Sequence, residues 1–162
     1  MYDYQMMSRG SIGQIAQGLS PRMDGLTVEA GALPPPPVAR RIAAALENGT
    51  LPEWCVSYML IEQETRRVVA CCNFKGNPEN RSVEIGYGVS PLHWGKGVGT
   101  AAALFLVDLA RKSNRVDVVV ANISADNYAS QRVVSKLGFI NTGHVIDSYG
   151  EKLEQWTLRI AV

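Results

Sequence analysis

At 162 residues the chain has the length of one domain, enough to bury a sizeable core. Nearly half of it is apolar and the formal net charge is +1, which argues against a polyanion partner such as bulk nucleic acid. No apolar run reaches the length of a membrane span, and the opening MYDYQMMSRG lacks a signal-peptide core, so the expectation is a cytoplasmic protein with no membrane partner.

In chain order, Met1 to Thr27 carries the weakest signal. SIGQIAQGLS fits a short helix ending at Gly18, and LTVEAG a short strand or a loop. LPPPP is stiff and extended. VARRIAAALENG follows as an alanine-rich helix stopped by Gly49, with Arg40 and Arg41 on its solvated face. WCVSYMLIEQ (54–63) and RRVVACCNFKG (66–76) are β-rich and form an antiparallel hairpin. GNPEN is a turn, and RSVEIGYGVS (81–90) is the next strand.

The three cysteines, Cys55, Cys71 and Cys72, are odd in number and lack metal-ligand spacing. That argues against a disulfide frame or a zinc site and fits reduced thiols. Cys71 and Cys72 are adjacent on a strand, so their side chains point to opposite faces.

After Ser90 comes a glycine stretch and then a helix to about Lys112. Val98, Ala101, Ala102, Phe105 and Leu109 share one face of that helix. VDVVVANIS is nearly all apolar, as a strand in the buried middle of a sheet would be. DNYASQRVVSKLG is a capped helix ending at Gly138, and FINTGHVIDSYG with EKLEQWTLRIAV closes the chain as a strand pair. The pattern is a mixed α/β domain over residues 1–162. Its sheet is mostly antiparallel, with one strand–helix–strand crossover at the centre.

The glycine stretch YGVSPLHWGKGVGT holds Gly88, Gly95, Gly97 and Gly99. Glycine is costly in entropy, so its use before a helix suggests that the backbone must approach something closely. The first N–H groups of a helix have no internal partner and carry about half a positive charge. A strand, a glycine loop and a helix start therefore make an anion site, to which Lys96 adds charge. A nucleotide P-loop would need Ser or Thr after its Gly-Lys, but Gly97 follows Lys96. The dinucleotide fingerprint matches by letters at Gly97, Gly99 and Ala102, with Asp117 as its acid. Its strand, however, ends near Val89, well before the first glycine.

A third phosphate-loop reading comes from a family resemblance over Val83 to about Phe139. HWGKGVGTAAALFLVDLA resembles the pyrophosphate loop of the GNAT acetyltransferases, with Trp94 where Arg or Gln is usual. NYASQRVVSKLGF resembles their second signature, and VEIGYGV the strand before the loop. The WGKG loop together with Asn127-x-x-Ser130 is most similar to the RimJ/RimL group of N-terminal acetyltransferases. The resemblance implies a GNAT fold with helices on both faces of the sheet and a splayed strand pair. It implies acetyl-coenzyme A as co-substrate, no metal, and a primary amine as acceptor, either a peptide or protein N-terminus or a small molecule. A homodimer is also compatible with it.

The resemblance places the cofactor on Val89, Trp94, Gly95, Lys96, Gly97, Val98, Gly99, Thr100, Asn127 and Ser130. Asn127, Ser130 and Val134 form one helix stripe; Asn127 would bond the pantetheine arm or simply cap its helix. Many relatives keep a tyrosine at the position of Val134 to protonate the leaving thiolate. With that role vacant, Ser130 is the candidate acid. Glu84 is the candidate base, its pKa raised by burial, or else a solvent-exposed or salt-bridged strand residue with Arg81 as a partner; Tyr87 is the candidate acceptor contact or a packed aromatic. His93 reads as a surface turn residue, and Trp94 either covers the adenosine or braces the loop.

Proton chemistry narrows the acceptor. An α-amine with a pKa near 8 is about one-tenth neutral at pH 7, whereas a lysine is neutral at only about 0.04%, a penalty of about 4.6 kcal/mol. One carboxylate base suits the α-amine better. Two other readings stand beside this one: a non-catalytic acyl-coenzyme A binding module, and a dinucleotide-binding oxidoreductase.

Overall fold

The computed structural model describes residues 1–161; Val162, the last residue of the closing strand segment, lies outside the described residues. The strands are β1 (Tyr2–Met6), β2 (Thr27–Val28), β3 (Tyr58–Glu62), β4 (Arg67–Phe74), β5 (Ser82–Val89), β6 (Val118–Ser124), β7 (Ile140–Ile146) and β8 (Lys152–Arg159). The helices are α1 (Arg9–Ala16), α2 (Pro36–Glu47), α3 (Val98–Ser113) and α4 (Tyr128–Lys136). The sheet runs β1-β3-β4-β5-β6-β8-β7, with the short β2 lying parallel to β4.

The mixed, mostly antiparallel sheet expected from the sequence is present, and its central crossover is β5–α3–β6. Two apolar layers hold it. Leu60, Phe74, Ile85, Leu106 and Val119 lie in the layer under α3 and α4. Met7, Ile12, Ile42, Met59 and Val68 lie in the layer under α1 and α2. Each fully buried side chain of this kind contributes about 1.5–3 kcal/mol.

Four details differ from the sequence reading. Residues 2–6 form an edge strand, β1, whose tyrosines and methionine alternate with polar residues and whose side chains after Tyr2 are exposed. The segment 54–63 is a strand only from Tyr58, because Pro52 to Trp54 turns as a 3-10 helix. β6 is buried on one face only: Val119, Ala121 and Ile123 are covered, while Val118, Val120 and Asn122 are half-buried. Finally, the fully buried stripe of α3 is Val98, Ala102, Ala103, Leu106, Val107 and Ala110. Phe105 is turned to the side, where its ring stacks on Tyr4 at 4.0 Å.

All three cysteines are free and buried, and Cys72 packs in the layer under α3. Burial pushes the Cys71 thiol up from 9.0 to about 12. Folding thus holds that proton more tightly than the unfolded chain does. The contribution is complete below pH ~9 and disappears as pH climbs toward ~12. The thermal midpoint should fall across that alkaline window, and Cys71→Ala should flatten the fall. Burial also raises Tyr58, to about 12, and acts in the same direction. A midpoint that stays level from pH ~8 to ~11 would contradict this.

Candidate active site

The site begins where β5 and β6 part. They pair in parallel over three rungs, Ser82 with Val118 to Glu84 with Val120. β5 then continues along β4 to Val89, while β6 continues along β8 to Ser124. On the β4 side, Ser90 N–H donates to Val69 O at 2.9 Å and Lys75 N–H to Glu84 O at 2.9 Å. Hydrogen-bonding residues alternate along an antiparallel pair, so Tyr87 and Val89 turn their backbone groups away from β4 and into the gap.

A cleft of about 860 Å³ opens at this gap. One wall is Tyr87 to Val89, the next is the loop and first turn of α3, and the third is one face of α4 with the residues just before it. Gly95 (φ 75°) and Gly97 (φ 79°) are both left-handed, a conformation that favours glycine, and Gly97 is the N-cap of α3. No side chain caps this helix and its first turn holds no acid. The free N–H groups of its first turn therefore border the cleft with their partial positive charge. At Gly99 an added Cβ would lie 3.4 Å from Val133 Cγ2, so α3 and α4 are closely packed at this level.

Trp94 is a brace: its Nε1 donates to Val89 O at 3.0 Å, tying the loop to the strand end. That leaves only the N–H of Val89 directed into the gap, and a ligand amide that needs the carbonyl would compete with the indole. Lys96 is exposed on the loop, and Val98 is buried beneath it. Thr100 lines the cleft. His93 is not a surface residue, as its side chain is only 12% exposed and its Nε2 lies 3.9 Å from Glu29 Oε1.

On α4, Asn127 is the N-cap, its Oδ1 accepting from Ser130 N–H at 3.1 Å. Asn127 and Ser130 both line the cleft, but Val134 does not: it is fully buried in the core. The helix stripe facing the cleft runs instead through Ala129, Arg132, Val133 and Lys136. The 100° turn of each residue separates Val134 from Val133 by enough to send one inward and the other to the cleft.

Tyr87 crosses from β5 to α4, its hydroxyl donating to Ser130 O at 3.4 Å. Burial raises its pKa above 10.0, which keeps the phenol protonated at neutral pH. Its ring lies on the helix side of the sheet with Ile85 and Val89, away from Glu84, so its direction does not support the expected acceptor contact.

Glu84 sits at the closed end of the gap and, by strand alternation, on the opposite face of the sheet. It is neither isolated in apolar surroundings nor paired with Arg81. Its Oε2 lies 2.9 Å from Lys75 Nζ, and both side chains are about one-third exposed (32% and 27%). Arg81 pairs instead with Asp117 at 3.0 Å, beside the first β5–β6 rung. The length of β5, about 26 Å, separates Asp117 from the glycine loop. Asp117 therefore has no access to a ligand in the cleft, and the dinucleotide reading falls. Lys75 lies outside every motif, and Arg132 and Lys136 lie within NYASQRVVSKLGF without being singled out by it; the i, i+4 spacing of the last two is the signal of a shared face.

A sheet splayed beside an uncapped, glycine-preceded helix start defines a class of protein that grips an extended ligand carrying a pyrophosphate. Residues 27–140, well over half of the chain, match the family model described as an acetyltransferase (GNAT) domain, and the chain belongs to that family. It is 33% identical over 85 residues to YjdG, an uncharacterized N-acetyltransferase of Bacillus subtilis (strain 168). That match takes in 52% of this chain and 51% of the relative, so the chain spans about half the length of the curated relatives it matches.

Two solved structures share the fold. One is the ribosomal-protein-S5-alanine acetyltransferase of Vibrio fischeri (TM-score 0.67, 14% identity, 98% of this chain and 92% of that one). The other is YncA of Salmonella typhimurium, solved with its cofactor acetyl-CoA (TM-score 0.64, 20% identity, 100% and 95%).

Proposed function

We propose that this chain is an acetyl-coenzyme A-dependent N-acetyltransferase of the cytoplasm, a single domain over residues 1–162 acting on a primary amine. The single observation that carries the reading is the β5–β6 gap, which has an uncapped α3 start at one end and a carboxylate at the other. The glycine loop fits a pyrophosphate, since Gly95 and Gly97 leave the N–H groups uncovered and nothing lies within 4 Å of the Cβ position at either.

Acetyl-coenzyme A supplies an acetyl group activated as a thioester. The residues Gly95 to Thr100 hold its phosphates, and the outward N–H groups of Tyr87 and Val89 are placed to polarise the thioester carbonyl. The acceptor approaches from the other face, where Glu84 takes the amine proton directly or through one water. The C–N bond forms, the C–S bond breaks, and the thiolate takes a proton from the Ser130 side, where the Tyr87 phenol is also within reach. Asn127 has its Oδ1 engaged in the helix cap, which leaves its Nδ2 to donate to the pantetheine arm. Cys71 is no rival nucleophile, being buried and protonated, so transfer is direct.

An α-amine, as at a peptide N-terminus in the manner of the RimJ/RimL group, suits a single carboxylate better than a lysine does. The burial of Val134 leaves the α4 position for a phenolic acid empty, and this is the one observation favouring a non-catalytic acyl-coenzyme A binding module. Free-thiol release from acetyl-coenzyme A decides between them, measured across a panel of α-amines, peptides and polyamines. Amine-dependent turnover is the expected result. Cofactor binding with no turnover on any amine would leave the binding module.

A further inference from the structure

We propose that the space over Gly86 is the subsite for the acceptor's amino group, and that the Lys75 ammonium fills it in the free protein as an internal competitor. The proposal rests on the transferase reading with Glu84 as base, and it adds the class of amine: a primary amine on an unbranched carbon. Gly86 lies on the same face of the sheet as Glu84 and directly follows the last rung that β5 shares with β6, so it is level with the start of the gap. Its backbone is ordinary strand and not left-handed, so its conformation does not require glycine. What glycine supplies here is the absence of a side chain.

The vacated space is already used by an amine. A Cβ at Gly86 would lie 3.0 Å from Lys75 Cε and 3.8 Å from both Lys75 Nζ and Asn73 Oδ1. The same Nζ lies 2.9 Å from Glu84 Oε2. A primary ammonium on an unbranched carbon therefore sits over bare backbone, beside the proposed base. Asn73, the register partner of Gly86 on β4, bounds the other side. It is only 6% exposed, and its Nδ2 donates to Phe74 O at 3.0 Å. That bond engages the donor end of the amide and leaves the acceptor, Oδ1, beside the space over Gly86. Of the three N–H groups of a primary ammonium, one carries the proton that Glu84 removes, and Asn73 Oδ1 is placed to accept from another. Lys75 leaves at little cost, because its ion pair is partly exposed and its stem is flexible.

Steady-state kinetics with acetyl-coenzyme A and two acceptors, a glycyl peptide and butylamine, tests this on the wild type, Lys75→Ala and Gly86→Ala. Removing the competitor in Lys75→Ala should lower KM for both amines by about twofold to fivefold. Gly86→Ala keeps both charges and puts a methyl into the subsite. The nearest atom that methyl meets is the far end of the flexible Lys75 side chain, so the fold tolerates it. KM for both amines should rise about tenfold or more. Coenzyme A Kd should stay within about twofold in either variant, since neither residue lines the cofactor cleft. An unchanged or higher KM in Lys75→Ala would overturn the competitor, and an unchanged KM in Gly86→Ala would move the amine elsewhere. A parallel loss of coenzyme A affinity would make the effects structural and overturn the subsite. Turnover of neither acceptor would overturn it too, while turnover of other amines would leave the transferase reading standing.

Discussion

Replacing Glu84 by glutamine is expected to lower acetyl transfer about 10²–10⁴-fold while coenzyme A affinity stays within about twofold. Glu84 lies on the face of the sheet opposite α3 and α4, at the last shared rung of β5 and β6, so it touches the acceptor side and not the cofactor cleft. Glutamine keeps the volume and leaves an oxygen for Lys75 Nζ, now 2.9 Å from the carboxylate, but cannot take a proton. Both members of the pair are partly exposed, so the stability cost should be small. The comparison needs kcat with a good amine acceptor and a separate cofactor Kd. Unchanged kcat would take Glu84 out of the mechanism, and a parallel loss of cofactor affinity would make its role structural.

The second large effect is expected at Gly97, where the change to alanine should weaken coenzyme A binding by about 10–100-fold. Gly97 holds φ at 79° as the N-cap of α3. A Cβ there meets no neighbouring atom within 4 Å, so crowding inside the protein is not the cause. The cost is left-handed backbone strain of about 1–2 kcal/mol, which the loop relieves by turning its N–H groups out of the cleft. The new methyl also occupies the surface that a phosphate oxygen would approach. Gly97 is itself exposed and its added Cβ meets no neighbour, so the thermal midpoint should shift by only a few degrees. Calorimetry and a melt on the same sample check both. Undiminished affinity would mean that the loop backbone is not what binds the phosphates.

Much of this arrangement was legible beforehand because it rests on local chemistry. Glycines at 95 and 97 before an apolar helix signal a helix start that leaves its amides free, and the structure places both in the left-handed region. The β3–β4 hairpin and the β5–α3–β6 crossover follow from turn residues and periodicity. Other features were not legible. Tyr2 to Met6 pairs as an edge strand; Tyr2, Tyr4 and Met6 do alternate with Asp3 and Gln5, but the run is only five residues long and its partner β3 is distant in sequence. β6 reads as a run of valines, yet one of its faces is only half-covered. On α4 a rotation of one residue decides that Val133 faces the cleft and Val134 the core, and helical spacing alone fits either choice.

The sequence by itself determined the element types, their order, and a helix start that leaves its first amides uncapped. Those depend on backbone dihedral preferences and on spacing along a few consecutive residues. Tertiary structure alone decided which charges meet. Glu84 finds Lys75 across the β4–β5 turn, Arg81 finds Asp117 at the base of β6, and Arg132 and Lys136 face the cleft with no ion pair among the described residues. Coulomb interactions depend on distance in space and on exposure, and strand register and helix rotation set both only after the chain has packed.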